Sequence, residues 1–275
     1  MGFKNSLEWR LGSVKSKAIA FLTHGSLLTD QRKRYVTVYP FADMIVNGRL
    51  ADNPFFTNFR KNEIFVFCNF HPKRECKPDL LAFSSKGDIF LVEGMRRKKN
   101  KGNDALKTVK KALGTLKIYS RLLAEFCRDY GQDPYQGWKS AYHNCYVKDK
   151  KHGFPELGSF ISSATTLRSP SEIRGLFRKI NDNFRHGRIL FGLAFNDPDD
   201  VEPFFPLDGY NLMPRTKIKY KTNPKGGVHS LGYCKIDTGK IYNVVKEEWE
   251  KKDGRLFLFG IDKKKDIFRL LDPTL

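Results

Sequence analysis

Apolar and polar positions recur along the chain with two different periods, and the change from one period to the other divides the chain into elements. Asn5-Ser-Leu-Glu8 is a helix-capping sequence, and the apolar residues after it keep helical spacing. Those residues are Leu7, Leu11, Val14, Ala18, Phe21 and Leu22. The pattern therefore predicts a first helix from residue 5 to residue 22. Between 23 and 60 it predicts only a short strand at 35–39 and a break at Asn53-Pro54.

From residue 63 the pattern becomes regular and predicts three strands followed by a long helix. Strands are expected at 64–67, 79–83 and 89–92, and the third is apolar on both faces, which is typical of a central strand. The long helix is predicted from residue 103 or 104 to residue 126. Its apolar positions keep helical spacing, whereas its lysines fall together on a different side.

The second half of the chain contains fewer regular elements. Ser169-Pro-Ser-Glu172 predicts the start of a helix that runs to about residue 184, and 188–195 is expected to be another buried strand. A hairpin is predicted from 255–261 and 266–271. This order of elements predicts the α/β class, with a mixed sheet flanked by helices.

Residues after 208 are rich in Pro, Gly and Lys turns, which indicates a change of organisation near residue 205. We therefore expect one domain at 1–205 and a small, basic, β-rich extension at 206–275. The whole chain has 275 residues, of which 40% are hydrophobic and 13% aromatic. This composition is sufficient for a hydrophobic core and excludes a chain that stays disordered for lack of apolar surface.

The charge points to the kind of partner. The chain has 50 Lys and Arg against 30 Asp and Glu, a net charge of +20, and a pI near 9.7. Residues 1–150 hold 28 basic and 14 acidic side chains, whereas 151–275 hold 22 and 16. A polyanionic partner is expected, bound mainly by the first half of the chain.

Two further features bear on location. No run of apolar residues reaches the 18 or so that a spanning helix needs, and the amino terminus has no apolar signal core, so we expect a soluble, cytoplasmic protein without a membrane partner. The five cysteines are an odd number at irregular spacing. This pattern argues against a secreted disulfide framework and favours reduced thiols.

Candidate chemistry lies in the hairpin formed by the second and third predicted strands. With the turn centred on Lys86, and with Gly87 supplying a positive φ, the paired residue numbers sum to 172 and Asp79 stands opposite Glu93. Two opposed carboxylates repel each other unless one is protonated or a cation lies between them. Carboxylate oxygens and substrate phosphates together bind hard divalent ions, so the register predicts a site for Mg²⁺ or Mn²⁺. A slip of one residue would move Glu93 to the other face.

Pro78-Asp79, a hairpin, Glu93-x-Met95 and then a long helix resemble the core of the PD-(D/E)XK nuclease superfamily, which has the restriction-endonuclease-like fold. The resemblance covers about residues 5–200. It implies that Asp79 and Glu93 bind Mg²⁺ or Mn²⁺, and that a Glu of the first helix, here Glu8, can be a further ligand. Glu8 also has a simpler role in the capping box.

The sequence departs from this family at one position. The family usually has Lys two residues after the Glu, where it assists the attacking water, and this chain has Met95, which carries no charge and donates no hydrogen bond. Three interpretations stay open: a naturally inactive relative, a deliberate Lys-to-Met substitution, or a lysine supplied from elsewhere. The nearest substitutes are Lys77, Lys98 and Lys107.

A basic run follows this motif. Nine basic residues occur in the 22 positions from 96 to 117, against a single acid, Asp104. A solvated helix face usually mixes charges of both signs, so this pattern predicts phosphate contacts. The residues expected to bind nucleic acid are Arg96, Arg97, Lys98, Lys107, Lys110, Lys111 and Lys117.

These features together predict a metal-dependent nuclease, with DNA rather than RNA as the expected substrate. The alternative is a non-catalytic nucleic-acid-binding module with the same fold. A third interpretation is a scaffold subunit that meets an acidic partner protein or forms a homodimer. A zinc site built from Cys68, His71, Cys76, His143, Cys145 and His152 is a weaker alternative, because no Cys-x-x-Cys pair is present.

Overall fold

The computed structural model describes residues 19–21, 38–68, 70–95, 102–147, 155–195, 244–249, 254–262 and 267–272. In chain order the elements are β1 (Ile19–Phe21), α1 (Tyr39–Val46), β2 (Ile64–Cys68), β3 (Leu80–Ser84), β4 (Ile89–Met95), α2 (Gly102–Asp129), α3 (Pro134–Tyr142), α4 (Leu157–Ala164), α5 (Pro170–Arg185), β5 (Leu190–Phe195), β6 (Arg255–Asp262) and β7 (Ile267–Asp272). A 3₁₀ turn at Pro54–Phe56 precedes β2, a π turn at His143–Val147 follows α3, and residues 244–248 form a helical turn.

Seven strands of the described chain form one mixed sheet, and their order in the sheet is their order in the sequence. β2, β3 and β4 form an antiparallel meander. β5 and β6 continue from β4 in parallel, and β1 pairs with β2 in parallel, whereas β7 returns antiparallel to β6. The predicted α/β class, a mixed sheet flanked by helices, is confirmed.

The two faces of the sheet are covered by different elements. On one face α1 and the 3₁₀ turn pack on β4, with the ring centroids of Phe41 and Phe56 at 6.0 and 4.8 Å from that of Phe90. On the other face the rings of α3 and α5 pack on β2 and β3, as Trp138 does on Phe83 at 5.4 Å. α2 belongs to this second layer, because it packs against both α5 and β4. The core therefore lies on both sides of the sheet.

The second layer supplies the crossover between β4 and β5. Adjacent parallel strands cannot be joined by a tight turn, so the chain must leave the sheet and return. It does so through α2, α3, α4 and α5. Ser169 caps α5 as predicted, since its Oγ accepts a hydrogen bond from the N–H of Glu172 and the Glu172 carboxylate accepts one from the N–H of Ser169.

Two predictions near the amino terminus lie mostly outside the described residues, and both differ from the structure in the few residues that it describes. The predicted helix at 5–22 ends in a segment that forms strand β1, because Ile19-Ala-Phe21 pairs with the fully buried strand β2. The predicted strand at 35–39 overlaps α1, whose Phe41, Ala42 and Ile45 are fully buried. Three consecutive apolar residues fit both periods, so tertiary packing decides between helix and strand in both segments.

The remaining elements agree with or add to the predicted ones. The predicted strands at 64–67, 79–83, 89–92 and 188–195 are confirmed as β2, β3, β4 and β5, and the long helix and the β6–β7 hairpin are confirmed as well. α3 and α4 are additional helices, for which the sequence predicted no element. The predicted boundary near residue 205 lies outside the described residues, and β6 and β7 extend the sheet that contains β4. None of the helices in the described ranges has the length and apolar character needed to cross a membrane.

Candidate active site

The register of the β3–β4 hairpin brings the two predicted carboxylates together. Leu80 pairs with Val92, and Leu81 with Leu91, so the paired numbers sum to 172 as the sequence predicted. Extending the ladder by one pair places Asp79, which directly precedes β3, opposite Glu93 in β4. Residues directly opposed in such a ladder have Cβ atoms about 4.5–5.5 Å apart.

The turn at the other end of the hairpin explains why this register forms. Gly87 has a φ of 97°, which a residue with a side chain rarely adopts. The Ser84 hydroxyl donates to the Asp88 carboxylate at 2.6 Å and accepts hydrogen bonds from the N–H groups of Lys86 and Asp88. These contacts fix the length of the loop, and the loop length fixes which residue stands opposite Glu93.

Both carboxylates are shielded from water, and the two have different surroundings. Asp79 is 9% exposed, and its Oδ2 atom accepts a hydrogen bond of 2.8 Å from the N–H of Gly94. Glu93 is half-buried, and its Oε2 atom is buried. Alternation along β4 places Glu93 on the same face as Leu91 and Ile89, which is the face covered by the layer of α2, α3 and α5.

This pair is a set of donors suited to a hard divalent ion. Carboxylate oxygens are the ligands that Mg²⁺ and Mn²⁺ prefer, and one or two of them are usual where a phosphate group supplies the rest. Among the described residues no group of three or more His, Cys, Asp or Glu side chains is close enough to form a larger metal site. Asp79 and Glu93 are two carboxylates, the number usual for an ion that also takes ligands from a phosphate substrate, so they could hold such an ion.

The other predicted residues near this pair are placed only in part. Position 95 is the last residue of β4, two residues beyond Glu93, and so lies on the same face of the strand. Lys77 is exposed, two residues before Asp79. The predicted residues Glu8, Arg96, Arg97 and Lys98 lie outside the described residues.

The four predicted lysines of α2 fall into two groups. Lys107 and Lys111 are exposed, and no described carboxylate lies within salt-bridge distance of either. Their ammonium groups face solvent on the side of α2 away from its buried residues. This is the arrangement that phosphate contact requires.

Lys110 and Lys117 instead contact the segment 244–249. The Nζ atom of Lys110 lies 2.7 Å from the Oε1 atom of Glu248, and Lys117 donates to the Glu248 backbone carbonyl at 2.8 Å. Lys117 also lies 5.5 Å from the centre of the Trp249 ring. The ion pair raises the pKa of Lys110 and lowers the pKa of Glu248. The predicted basic face is therefore partly used to dock another segment of the chain.

Sequence reasoning missed this docking segment. Val245 is fully buried, and the Trp249 ring packs on Phe191 at 4.9 Å while its N–H donates to the carbonyl of Gly254. The available signal was a short apolar series at helical spacing, Val244, Val245 and Trp249, in a region read as turns. The series is too short to predict a helix from its period.

The cysteines and histidines of the zinc alternative have other contacts. The thiol of Cys145 donates to the His71 carbonyl, and that of Cys76 lies 4.0 Å from the Tyr119 carbonyl. His143 faces Glu156 at 3.8 Å. Cys68, Cys76, Cys127 and Cys145 are buried free thiols, whereas His152 and Cys234 lie outside the described residues. The described thiols and imidazoles do not converge on one point.

A scan against models of protein families finds no match to this chain, and comparisons with curated proteins and with solved structures find none either.

Proposed function

We propose that this chain has the site of a metal-dependent nuclease of the PD-(D/E)XK type, acting on the phosphodiester bonds of DNA in the cytoplasm. The observation that carries the proposal is the β3–β4 register, which puts Asp79 opposite Glu93 at the end of a buried hairpin. The order of elements supports the proposal as well. The meander, the long helix and the parallel strand β5 follow one another in the part of the chain, about residues 5–200, that resembles the PD-(D/E)XK core.

In this proposal Asp79 and Glu93 would hold a divalent cation. The N–H of Gly94 orients the Asp79 carboxylate before substrate arrives, so little rearrangement is required at binding. Burial of Asp79 and of the Glu93 Oε2 atom excludes competing water and strengthens the interaction of these oxygens with a cation. When bound, Mg²⁺ or Mn²⁺ polarises a phosphate oxygen and lowers the pKa of a water molecule.

The residue at position 95 decides whether hydrolysis follows. A lysine there would share the face of Glu93 and could donate a hydrogen bond to the phosphate as negative charge develops. Met95 cannot, so the chain as written is expected to bind metal and DNA and to cleave slowly or not at all. Lys107 and Lys111 supply phosphate contacts that hold the backbone near the carboxylates.

The testing experiment is Met95→Lys, assayed for Mg²⁺- or Mn²⁺-dependent cleavage of single-stranded, duplex and branched DNA and of RNA. The substitution is expected to confer or raise cleavage of DNA while DNA affinity changes only a few fold, because one added charge alters phosphate binding modestly. Met95→Gln, which adds a hydrogen-bond donor without charge, is the matched control and should give much less activity.

Met95→Lys combined with Glu93→Gln should be inactive, since the lysine is expected to work together with the carboxylate pair. If Met95→Lys cleaves none of these substrates although it is folded and binds DNA, the nuclease proposal is wrong. Cleavage by the unaltered chain would instead show that a lysine from elsewhere serves the site, and Lys77 and Lys107 would then be replaced in turn.

A second candidate function is a non-catalytic nucleic-acid-binding module. Met95 favours it, because a chain that no longer hydrolyses its ligand gains nothing from a cation beside the phosphate. This module would bind DNA through the same exposed lysines, and Met95→Lys would leave it inert.

A further inference from the structure

Helix α5 has a row of arginines that the candidate active site does not use. Arg174, Arg178 and Arg185 are exposed, and at 100° per residue they fall within 40° of one another around the helix axis. They span 11 residues, or about 16 Å along the axis. Within the described ranges no carboxylate lies at salt-bridge distance from any of the three. We call Arg174, Arg178 and Arg185 the α5 arginine row.

The row follows the side of α5 that faces α3 and the end of α2. Arg174 is close enough to Tyr135 of α3 to lower the pKa of that phenol, against the larger effect of burial, which raises it. Arg185 acts in the same way on the thiol of Cys127 in α2, where burial again dominates and raises the pKa. Both ends of the row therefore lie near neighbouring helices.

A groove of about 750 Å³ lies beside the amino-terminal end of the row. It is lined by Tyr135, by hydroxyl groups that include Ser159 and Ser162, and by Arg168. The Arg168 guanidinium donates to the carbonyls of Ser162, Thr165 and Leu167 at 2.6, 2.6 and 2.9 Å, so its charge is held at the groove. An aromatic ring, hydroxyl groups and a fixed cation are the side chains that contact sugar and phosphate.

We propose that the α5 arginine row and this groove bind the phosphate backbone of a second segment of the same nucleic acid that the active site holds. This inference rests on the proposed function for the identity of the ligand. A span of about 16 Å corresponds to about five phosphates of one strand at 3.4 Å each, and guanidinium groups bind phosphate in two-point geometry. Acidic partner proteins have no such regular spacing of charge.

The row is distant from the carboxylate pair. α5 contacts the turn of the β3–β4 hairpin, where the side-chain amide of Asn183 donates to the carbonyl of Gly87 at 2.9 Å. Asp79 and Glu93 lie at the opposite end of that hairpin, about 15 Å along β4. A duplex that reaches both regions must extend past the cleaved bond, so the row is expected to set how much DNA the protein covers.

The experiment compares the full-length chain with a triple variant, Arg174→Gln, Arg178→Gln and Arg185→Gln, on a DNA duplex of about 30 base pairs. At about 0.15 M salt the triple variant should bind about 100-fold more weakly, and the slope of log K against log salt should be shallower by about 3. Its hydroxyl-radical footprint should be shorter by about five nucleotides at one end only.

Two controls distinguish the effect of the α5 arginine row from the effect of lowering the net charge of the protein. The triple variant Arg49→Gln, Arg60→Gln and Lys61→Gln removes the same charge near α1, on the other side of the sheet, and should leave the footprint unchanged. Replacing the α5 arginine row by lysines should keep the salt slope. Equal melting temperatures would show that all these chains are folded.

An unchanged footprint in the triple glutamine variant would overturn the inference, and so would an equal loss in the α1-side control. Loss of binding to poly-glutamate, with DNA binding intact, would assign the row to an acidic partner protein instead and would also overturn it. If Met95→Lys is inert while the triple glutamine variant has a shortened footprint, only the nuclease proposal is wrong. If Met95→Lys cleaves DNA while the triple glutamine variant has an unchanged footprint, only this inference is wrong.

Discussion

Asp79 has two neighbours that affect different properties of the protein. The N–H of Gly94 donates a hydrogen bond to the Asp79 Oδ2 atom, and this bond needs only an acceptor at that position. Glu93 stands opposite Asp79, and its interaction with Asp79 depends on the charge of the Asp79 carboxylate. The stability of the fold therefore depends on the oxygen atom, whereas the proposed metal binding depends on the negative charge. Substitutions can separate these two requirements.

We expect Asp79→Asn to keep the melting temperature of the wild-type chain and to lose Mn²⁺ binding in calorimetry. The amide oxygen still accepts the hydrogen bond of Gly94, but the neutral side chain is a much weaker ligand. Asp79→Ala should lose Mn²⁺ binding and also about 1–3 kcal/mol of stability, because it leaves the buried N–H of Gly94 without an acceptor.

Asp88→Asn is the matched control, since Asp88 belongs to the same hairpin but lies at the turn, where its carboxylate accepts from Ser84. Its Mn²⁺ affinity should equal that of the wild type. Equal Mn²⁺ affinity in Asp79→Asn, Glu93→Gln and the wild type would show that the ion, if bound, is held elsewhere.

At the level of elements, α2 divides its lysines between docking and an open surface. Lys107→Ala and Lys111→Ala should each weaken DNA binding about fivefold at 0.15 M salt and reduce the salt slope by about 1, because each exposed cation neutralises one phosphate. Lys110→Ala and Lys117→Ala should change DNA affinity less, since their ammonium groups already contact Glu248.

Fluorescence anisotropy with one labelled duplex over a series of salt concentrations measures both quantities. Glu248→Gln is an informative companion variant, because it removes the ion pair of Lys110. In that background Lys110→Ala should weaken DNA binding as much as Lys107→Ala does. Equal effects of all four single substitutions in the otherwise wild-type chain would contradict this division of α2.

The hairpin and the long helix were predictable because each has a local signal. Gly87 between two short apolar runs specified the turn, and the 3.6-residue period specified α2. Residues 19–21 and the start of α1 differ from the predicted helix and strand because short apolar runs fit either period, and only pairing with β2 or packing on Phe90 decides between them.

The candidate site was predictable only where the local sequence specified it. Asp79 and Glu93 followed from the register alone, whereas the role of Lys110 depends on Glu248, which is more than a hundred residues away in sequence. Contacts at that separation leave no periodic signal in the chain. The spacing of the α5 arginine row is visible in the sequence, but only the folded surface shows that no carboxylate of the described residues lies within salt-bridge distance of it.

At the scale of the whole molecule, buried thiols make the free energy of unfolding depend on pH in the alkaline range. Burial raises the pKa of Cys76 to about 12 and that of Cys145 to about 11, from an ordinary value of 9.0, and it also raises the pKa of Cys127. Above pH 9 the unfolded chain releases these protons while the folded chain retains them. Unfolding is therefore favoured as the pH rises, and the free energy of unfolding falls.

We expect the free energy of unfolding to be nearly independent of these thiols below pH 8 and to fall between pH 9 and 11. The slope attributable to the three thiols should approach about 4 kcal/mol per pH unit, one proton from each. Urea denaturation at intervals of half a pH unit measures this slope. Cys76→Ala should reduce it by about a third, and a slope that is the same with and without Cys76 would contradict the burial of that thiol.

The strands occupy the sheet in the order in which a ribosome makes them. Each new strand can pair with the one before it, so the Asp79–Glu93 hairpin is complete as soon as β4 has emerged. The partner on the far side of β4 is β5, which begins only at Leu190, about 5–20 s later at ordinary rates of synthesis. During that time β4, whose residues 89–92 are apolar and buried in the folded chain, has an open edge. Chains that stop before Leu190 therefore keep this edge exposed and are expected to aggregate, and the yield of full-length protein depends on protecting it for those seconds.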